Sequence, residues 1–367
     1  GDSVDLYPDI FVGRAPAATS LEAETFVTKI LTYEQMPIAT FAAQNLYLAE
    51  VLFPYDWEWP QLITTDGAEH VVEPVLPLVP PDVHTALVYQ NYEPFPESYP
   101  LTAQAALDSM DVGYNIVSHV GHGNKDILRC SKNEYISVQD VDALTNGIDK
   151  CGFLWMLNCT STKIEEDCIA EHFMNNPNGG ASMLYGPTRF CFPTTAKDYY
   201  YTWHEYLYGG IERTGVVSAM CKIPYVPESS YDNTDRWTQM SYVLLGDPES
   251  RLWVKRPIAL SAIHDSSVPL GPTDLSVTVV EDQSMFPSAV SIQTSLRLST
   301  PRLGQEAPAC HDEPCLSETA PQTRLAHGRG GQRAGPPALQ ECRIHRPPRW
   351  GDVGRSRDEP TIGMRCL

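Results

Sequence analysis

Residues 114–123, YNIVSHVGHG, and residues 152–159, GFLWMLNC, decide how this chain is read. Ile116-Val117-Ser118-His119-Val120 and Phe153-Leu154-Trp155-Met156-Leu157 are short apolar runs bounded by glycine or asparagine, the pattern of buried strands. If they are neighbours in a parallel sheet, their carboxyl ends open on one edge, where open α/β sheets carry their ligands. His122, set between two glycines, and Cys159 then face the same crevice. A free thiol is only a few per cent thiolate at neutral pH, so a positioned imidazole is what makes it a working nucleophile. The glycines let backbone approach a substrate carbonyl, and the Gly123 and Cys159 amides are natural oxyanion donors. His119, inside the apolar run, reads as a satisfied core residue. A single cysteine after a buried strand is ordinarily an inert small hydrophobe, so these local features leave the catalytic reading open.

Around these two strands helices and strands alternate, the pattern of a largely parallel sheet covered by helices. Thr19-Ser20-Leu21-Glu22 is a capping box opening a helix with Phe26, Ile30 and Tyr33 on one face. Thr102 caps a helix over 103–110, and 167–174 and 195–208 are further helices, the last with an aromatic stripe that belongs to the core. Residues 181–185, 242–245 and 251–254 read as strands. From Pro257 the character changes, with alternating strands at 258–263, 275–280 and 289–294, too few for a complete sandwich.

The 367 residues carry a net charge of −20, which argues against nucleic acid or an anionic membrane surface as the main partner. No stretch approaches the roughly 18 apolar residues of a membrane span. Cysteine spacing is not that of a disulfide scaffold and leaves the redox compartment open. Composition breaks near residue 296: the remainder has eleven arginines and no Lys, Asn, Phe or Tyr. Those absent residues are the ones AT-rich codons encode, so 297–367 reads as out-of-frame translation of GC-rich DNA, expected to be disordered. Cys310, Cys315, Cys342 and His345 have no surrounding fold to make them a zinc site.

Several segments, in order, resemble the gingipain family of cysteine peptidases within the caspase-like group: 7–16 (YPDIFVGRAP), 29–34 (KILTYE), 113–123, Asn158-Cys159, 167–181 (DCIAEHFMNNPNGGA), 186–189 and 244–248 (LLGDP). The resemblance spans residues 7 to about 254. It implies a caspase-like three-layer α/β fold with a mostly parallel sheet over 1–255, truncated at its N-terminus, followed by an incomplete immunoglobulin-like β-sandwich segment over 256–296. It further implies a secreted or surface-attached cysteine endopeptidase acting on proteins or peptides, with His122 as acid/base and Cys159 as nucleophile, and no cofactor required for the chemistry. An upstream acid that orients the histidine is matched by Glu50, which reads equally as a solvated charge at a strand end. Arginine-specific relatives carry an acid at the base of the substrate pocket. Asp66 falls near that place, although an Asp-Gly pair is also simply a turn. Calcium is common in the family, and Asp2 and Asp5 are where an acidic loop would contribute to it. Two other readings stay open: a sortase-like transpeptidase of the same family, and a catalytically inactive surface binding module.

Overall fold

The computed structural model describes residues 4–35, 38–257, 260–264, 273–281 and 291–298. The first of two units runs through Leu260. Its strands are β1 (Gln44–Ala49), β2 (Val51–Phe53), β3 (Thr65–Asp66), β4 (His84–Tyr89), β5 (Ser98–Pro100), β6 (Ile116–Val120), β7 (Ile127–Ser131), β8 (Glu134–Ser137), β9 (Phe153–Leu157), β10 (Met183–Pro187) and β11 (Tyr242–Leu245). Its helices are α1 (Ser20–Gln35), α2 (Ala39–Ala42), α3 (Ala103–Val112), α4 (Val138–Asp142), α5 (Ile169–Asn175), α6 (Pro193–Tyr208), α7 (Thr214–Met220) and α8 (Asn233–Ser241).

Seven strands form one sheet in the order β11-β10-β9-β6-β1-β4-β5, parallel throughout except for β11. Because successive side chains on a strand point to opposite faces, each central strand feeds two cores. Tyr47, Phe153, Trp155 and Leu157 pack with Trp203 and Leu207 of α6 and Val217 of α7 on one face. Leu46, Leu48, Leu154 and Met156 pack with Met110 of α3, Val141 of α4 and Phe173 of α5 on the other. The result is three layers with a sheet buried on both sides, which is why its strands read as unbroken apolar runs.

The expected caps form. Thr19 Oγ1 accepts from Glu22 N at 3.2 Å while Glu22 Oε2 accepts from Thr19 N at 2.9 Å, and Thr102 Oγ1 accepts from Ala105 N at 3.0 Å. The same α1 face that carries Ile30 and Tyr33 also buries Lys29 completely. Its Nζ donates to the carbonyls of Phe173 (3.0 Å), Met174 (2.9 Å) and Ala181 (3.3 Å). Lys29 thereby serves carbonyls at the end of α5 that have no partner within the helix.

Residues 251–254 do not form the expected strand. Only Arg251 makes a bridge, to Arg213, while the Trp253 backbone is taken by side chains: its N–H donates to the Tyr33 hydroxyl at 3.1 Å and its carbonyl accepts from Asn115. After these, β12 (Leu260–His264), β13 (Thr273–Glu281) and β14 (Ser291–Leu298) are described as a three-stranded sheet in that order, with β13 and β14 antiparallel. The last strand runs two residues past the composition break at 296. The zinc-like Cys/His set and the rest of the 297–367 segment beyond Leu298 lie outside the described residues.

Candidate active site

β6 and β9 are adjacent and parallel, with Val120 paired to Leu157. Gly121 N continues the ladder, donating to Leu157 O at 3.0 Å. Two residues further along each chain stand His122 and Cys159. The register therefore delivers them to the same level of neighbouring strands, whose spacing is about 4.8 Å. The two loops touch: a Cβ on Gly123 would lie 3.5 Å from the side chain of Asn158.

The hairpin of β7 and β8 folds back on the histidine loop. Arg129 N donates to His122 O at 2.9 Å and Asn124 N donates to Ile127 O at 3.0 Å. Gly123 sits between these bonds opposite Leu128, so its own N–H is turned away from the hairpin. A Cβ at Gly123 would meet Ile127 O at 2.9 Å, so the close approach requires glycine. Neither the Gly123 nor the Cys159 amide is engaged by backbone among the described residues.

The imidazole of His122 is held from several sides. Nε2 lies 2.9 Å from the carbonyl of Leu52, which can only accept, so Nε2 carries the proton and Nδ1 is the basic nitrogen. Tyr55 packs edge-on against the ring at 4.5 Å between centroids and Phe53 at 6.1 Å. Burial lowers the imidazole's affinity for a second proton, opposed by the bond to Leu52. At neutral pH the ring is therefore a free base.

Glu50, which follows β1, is buried at 1 % exposure, so the reading of a solvated charge gives way. Its Oε2 accepts from the backbone N–H of His122 at 2.7 Å rather than from the ring. Its Oε1 lies 3.0 Å from Arg129 Nε. Burial pushes the carboxyl up to about 7, against the His122 N–H and the Arg129 guanidinium, which favour the charged form. Arg129 also donates to Asp56 at 2.7 Å and lies over the Tyr55 ring at 4.1 Å. One guanidinium thus connects the acid, the aromatic lid on the imidazole and the hairpin. The sequence offered a sign of it only in retrospect: Arg129 is the charged residue inside the apolar run Ile127-Leu128-Arg129-Cys130.

Cys159 is partly exposed, and Cys191 N donates to its Sγ at 3.5 Å. Burial pushes the thiol up and that N–H draws it back, so the resting sulfur is protonated and needs a base. The preceding Asn158 is buried and its amide donates to His119 Nδ1 at 3.2 Å, while His119 Nε2 donates to Arg129 O at 2.9 Å. His119 is thus a satisfied core residue, as its position predicts. Thr160, just after the cysteine, has φ of 51°, a left-handed conformation unusual for a β-branched residue. Cys191 and Thr160 were not singled out by pattern, because nothing in their local sequence marks a turn of this kind.

Asp66 ends β3 opposite Val51 and is 1 % exposed. Its Oδ1 accepts from Ala68 N at 2.9 Å and its Oδ2 from Asn91 at 2.8 Å, so it organises the turn into the following helical segment. Asp5 is exposed and accepts from Tyr7 N at 3.2 Å, and Asp2 lies outside the described residues. No group of three or more His, Cys, Asp or Glu side chains that could hold a metal ion occurs among the described residues. All six cysteines up to Cys221 are free.

The model of peptidase family C25 matches residues 1–253 of this chain. No curated protein matches it. Among solved structures, it is similar to the complex of Porphyromonas gingivalis RgpB pro- and mature domains, at 13 % identity and a TM-score of 0.58, covering 79 % of this chain and 74 % of that one. It is also similar to the Arg-specific cysteine proteinase gingipain R (RgpB), at 14 % identity and a TM-score of 0.55, over 79 % of this chain and 73 % of that one. These likenesses show the fold, the α/β caspase-like arrangement.

Proposed function

The chain belongs to peptidase family C25 and is a cysteine peptidase, and on that premise we propose that Cys159 and His122 carry the chemistry. The observation that supports this most is their register: two residues beyond the paired Val120 and Leu157, on adjacent parallel strands. His122 Nδ1 takes the thiol proton as Sγ attacks the scissile carbonyl of a bound peptide. The Gly123 and Cys159 amides stabilise the oxyanion that forms. The imidazolium then gives its proton to the leaving amine, producing a thioester on Cys159. Water, deprotonated by the same nitrogen, releases the acid and restores the thiol.

Glu50 acts through the backbone of His122 and through Arg129, fixing the loop rather than the ring. The substrate is protein or peptide. Secretion or attachment to the cell surface accords with the family, and no described helix is long and apolar enough to cross a membrane. The family match favours neither the transpeptidase nor the inactive binding module. Cys159→Ala tests the assignment. It should abolish turnover of a casein or peptide substrate while leaving the thermal unfolding midpoint near the parent value, whereas cleavage at the parent rate would remove Cys159 from the mechanism.

A further inference from the structure

Exposed aromatic side chains flank both His122 and the segment that touches Cys159. On the histidine side stand Phe53, 44 % exposed, and Tyr55, 54 % exposed, both packed against the imidazole. On the cysteine side, Phe190 and Phe192 bracket Cys191, whose N–H donates to the Cys159 sulfur. They are 67 % and 40 % exposed. The Trp237 indole N–H donates to Phe190 O at 2.6 Å, so the segment is pinned and the Phe190 ring is left outside the core. Side chains of this size cost free energy when left in water, and here they come from two separate segments, one packed on the imidazole and one whose backbone touches the Cys159 sulfur.

The nearby carboxylates are already engaged. Glu50 and Asp56 both pair with Arg129, and Glu165 pairs with Arg189. Asp66 is sealed, with a hydrogen bond on each oxygen. A substrate guanidinium or ammonium would therefore find aromatic faces but no free acid of this set to bind it.

Resting on the peptidase reading of this site, we propose that this aromatic surface selects large apolar side chains, aromatic or branched aliphatic, at the substrate residue that contributes the scissile carbonyl. That residue would stand at the Cys159 sulfur, which the backbone between Phe190 and Phe192 touches. Burial of its side chain against those rings removes apolar surface from water on both partners.

A series of peptidyl-aminomethylcoumarins differing only at that residue (Phe, Leu, Arg, Lys, Asp) tests this on the full chain. The expected result is a kcat/KM for Phe or Leu at least about tenfold above that for Arg or Lys, the size of discrimination an apolar pocket provides. Phe190→Ser should lower the Phe and Leu values by about tenfold and leave the rate of Cys159 alkylation by iodoacetamide within about twofold. Preferred cleavage after Arg or Lys by the parent overturns the inference and leaves the peptidase reading standing, as does a Phe190→Ser variant with an unchanged profile. Absence of cleavage across the series, with Cys159 no more reactive than the other thiols, overturns both.

Discussion

Arg129 and Glu50 form a buried ion pair directly behind the histidine loop, Nε to Oε1 at 3.0 Å, with the two side chains 7 % and 1 % exposed. The pair ties the end of β1 to the β7–β8 hairpin, and the His122 backbone is bonded to both members, by its N–H to Glu50 and by its carbonyl to Arg129 N. A charge this deep is tolerated only with its partner in place.

Measured above about pH 8, where Glu50 is ionised, Arg129→Met should destabilise the chain by about 3–5 kcal/mol, because it strands the Glu50 carboxylate. The double variant Glu50→Gln/Arg129→Met should recover most of that loss, since it removes both charges. Urea unfolding of the two single variants and the double variant gives the coupling directly, and additive losses would show that the pair is not a unit.

Gly121→Ala tests how the acid reaches the loop. A Cβ there would stand 3.0 Å from Glu50 Oε2 and 3.1 Å from both Glu50 Cβ and His119 Cε1, tighter than most real contacts. Relieving that crowding costs about 1–3 kcal/mol and moves the carboxylate off the His122 N–H. The expected kinetic signature is a fall in kcat with KM little changed. A variant with parent kcat would mean that the placement of Glu50 does not govern His122.

Stability should depend on pH through the buried histidines. Burial lowers His119 and His204 to about 4, against about 6.5 in the unfolded chain. Their contribution is complete above pH 6.5 and is lost as pH falls towards 4, because the unfolded chain binds protons that the folded one refuses. Glu50, raised to about 7, works in the opposite sense: it favours folding at low pH, and that contribution is lost as pH rises from about 4.3 towards 7. Between about pH 6.5 and 4, the unfolding midpoint should therefore fall more in the parent chain than in His119→Gln. An identical slope in the variant would contradict the assignment.

Much of this architecture was legible because both central strands are buried on two faces. Runs such as Phe153–Leu157 announce themselves, and the glycines around His122 and the polar end at Asn158-Cys159 mark where each strand opens on the site. Glu50 could be named but not placed, since its neighbours Ala49 and Val51 fit an exposed or a buried carboxylate equally well. The β7–β8 hairpin was not legible: Arg129, Lys132 and Glu134 break its alternation, and it is held by contacts to Glu50, Asp56 and Glu58 distant in sequence. Residues 251–254 misled for the converse reason. Their composition suits a strand, but Tyr33 and Asn115 take the backbone groups of Trp253 that a ladder would need.

The central claim, that Cys159 is the nucleophile, has a close internal rival in Cys191, whose backbone already touches the same sulfur. Inactivation by a peptidyl chloromethyl ketone followed by tandem mass spectrometry of the tryptic peptides separates them. The account predicts one adduct, on Cys159, with a labelling rate that follows the loss of activity and drops sharply in His122→Ala. An adduct on Cys191 instead, or labelling of Cys159 at the same rate without His122, would contradict it.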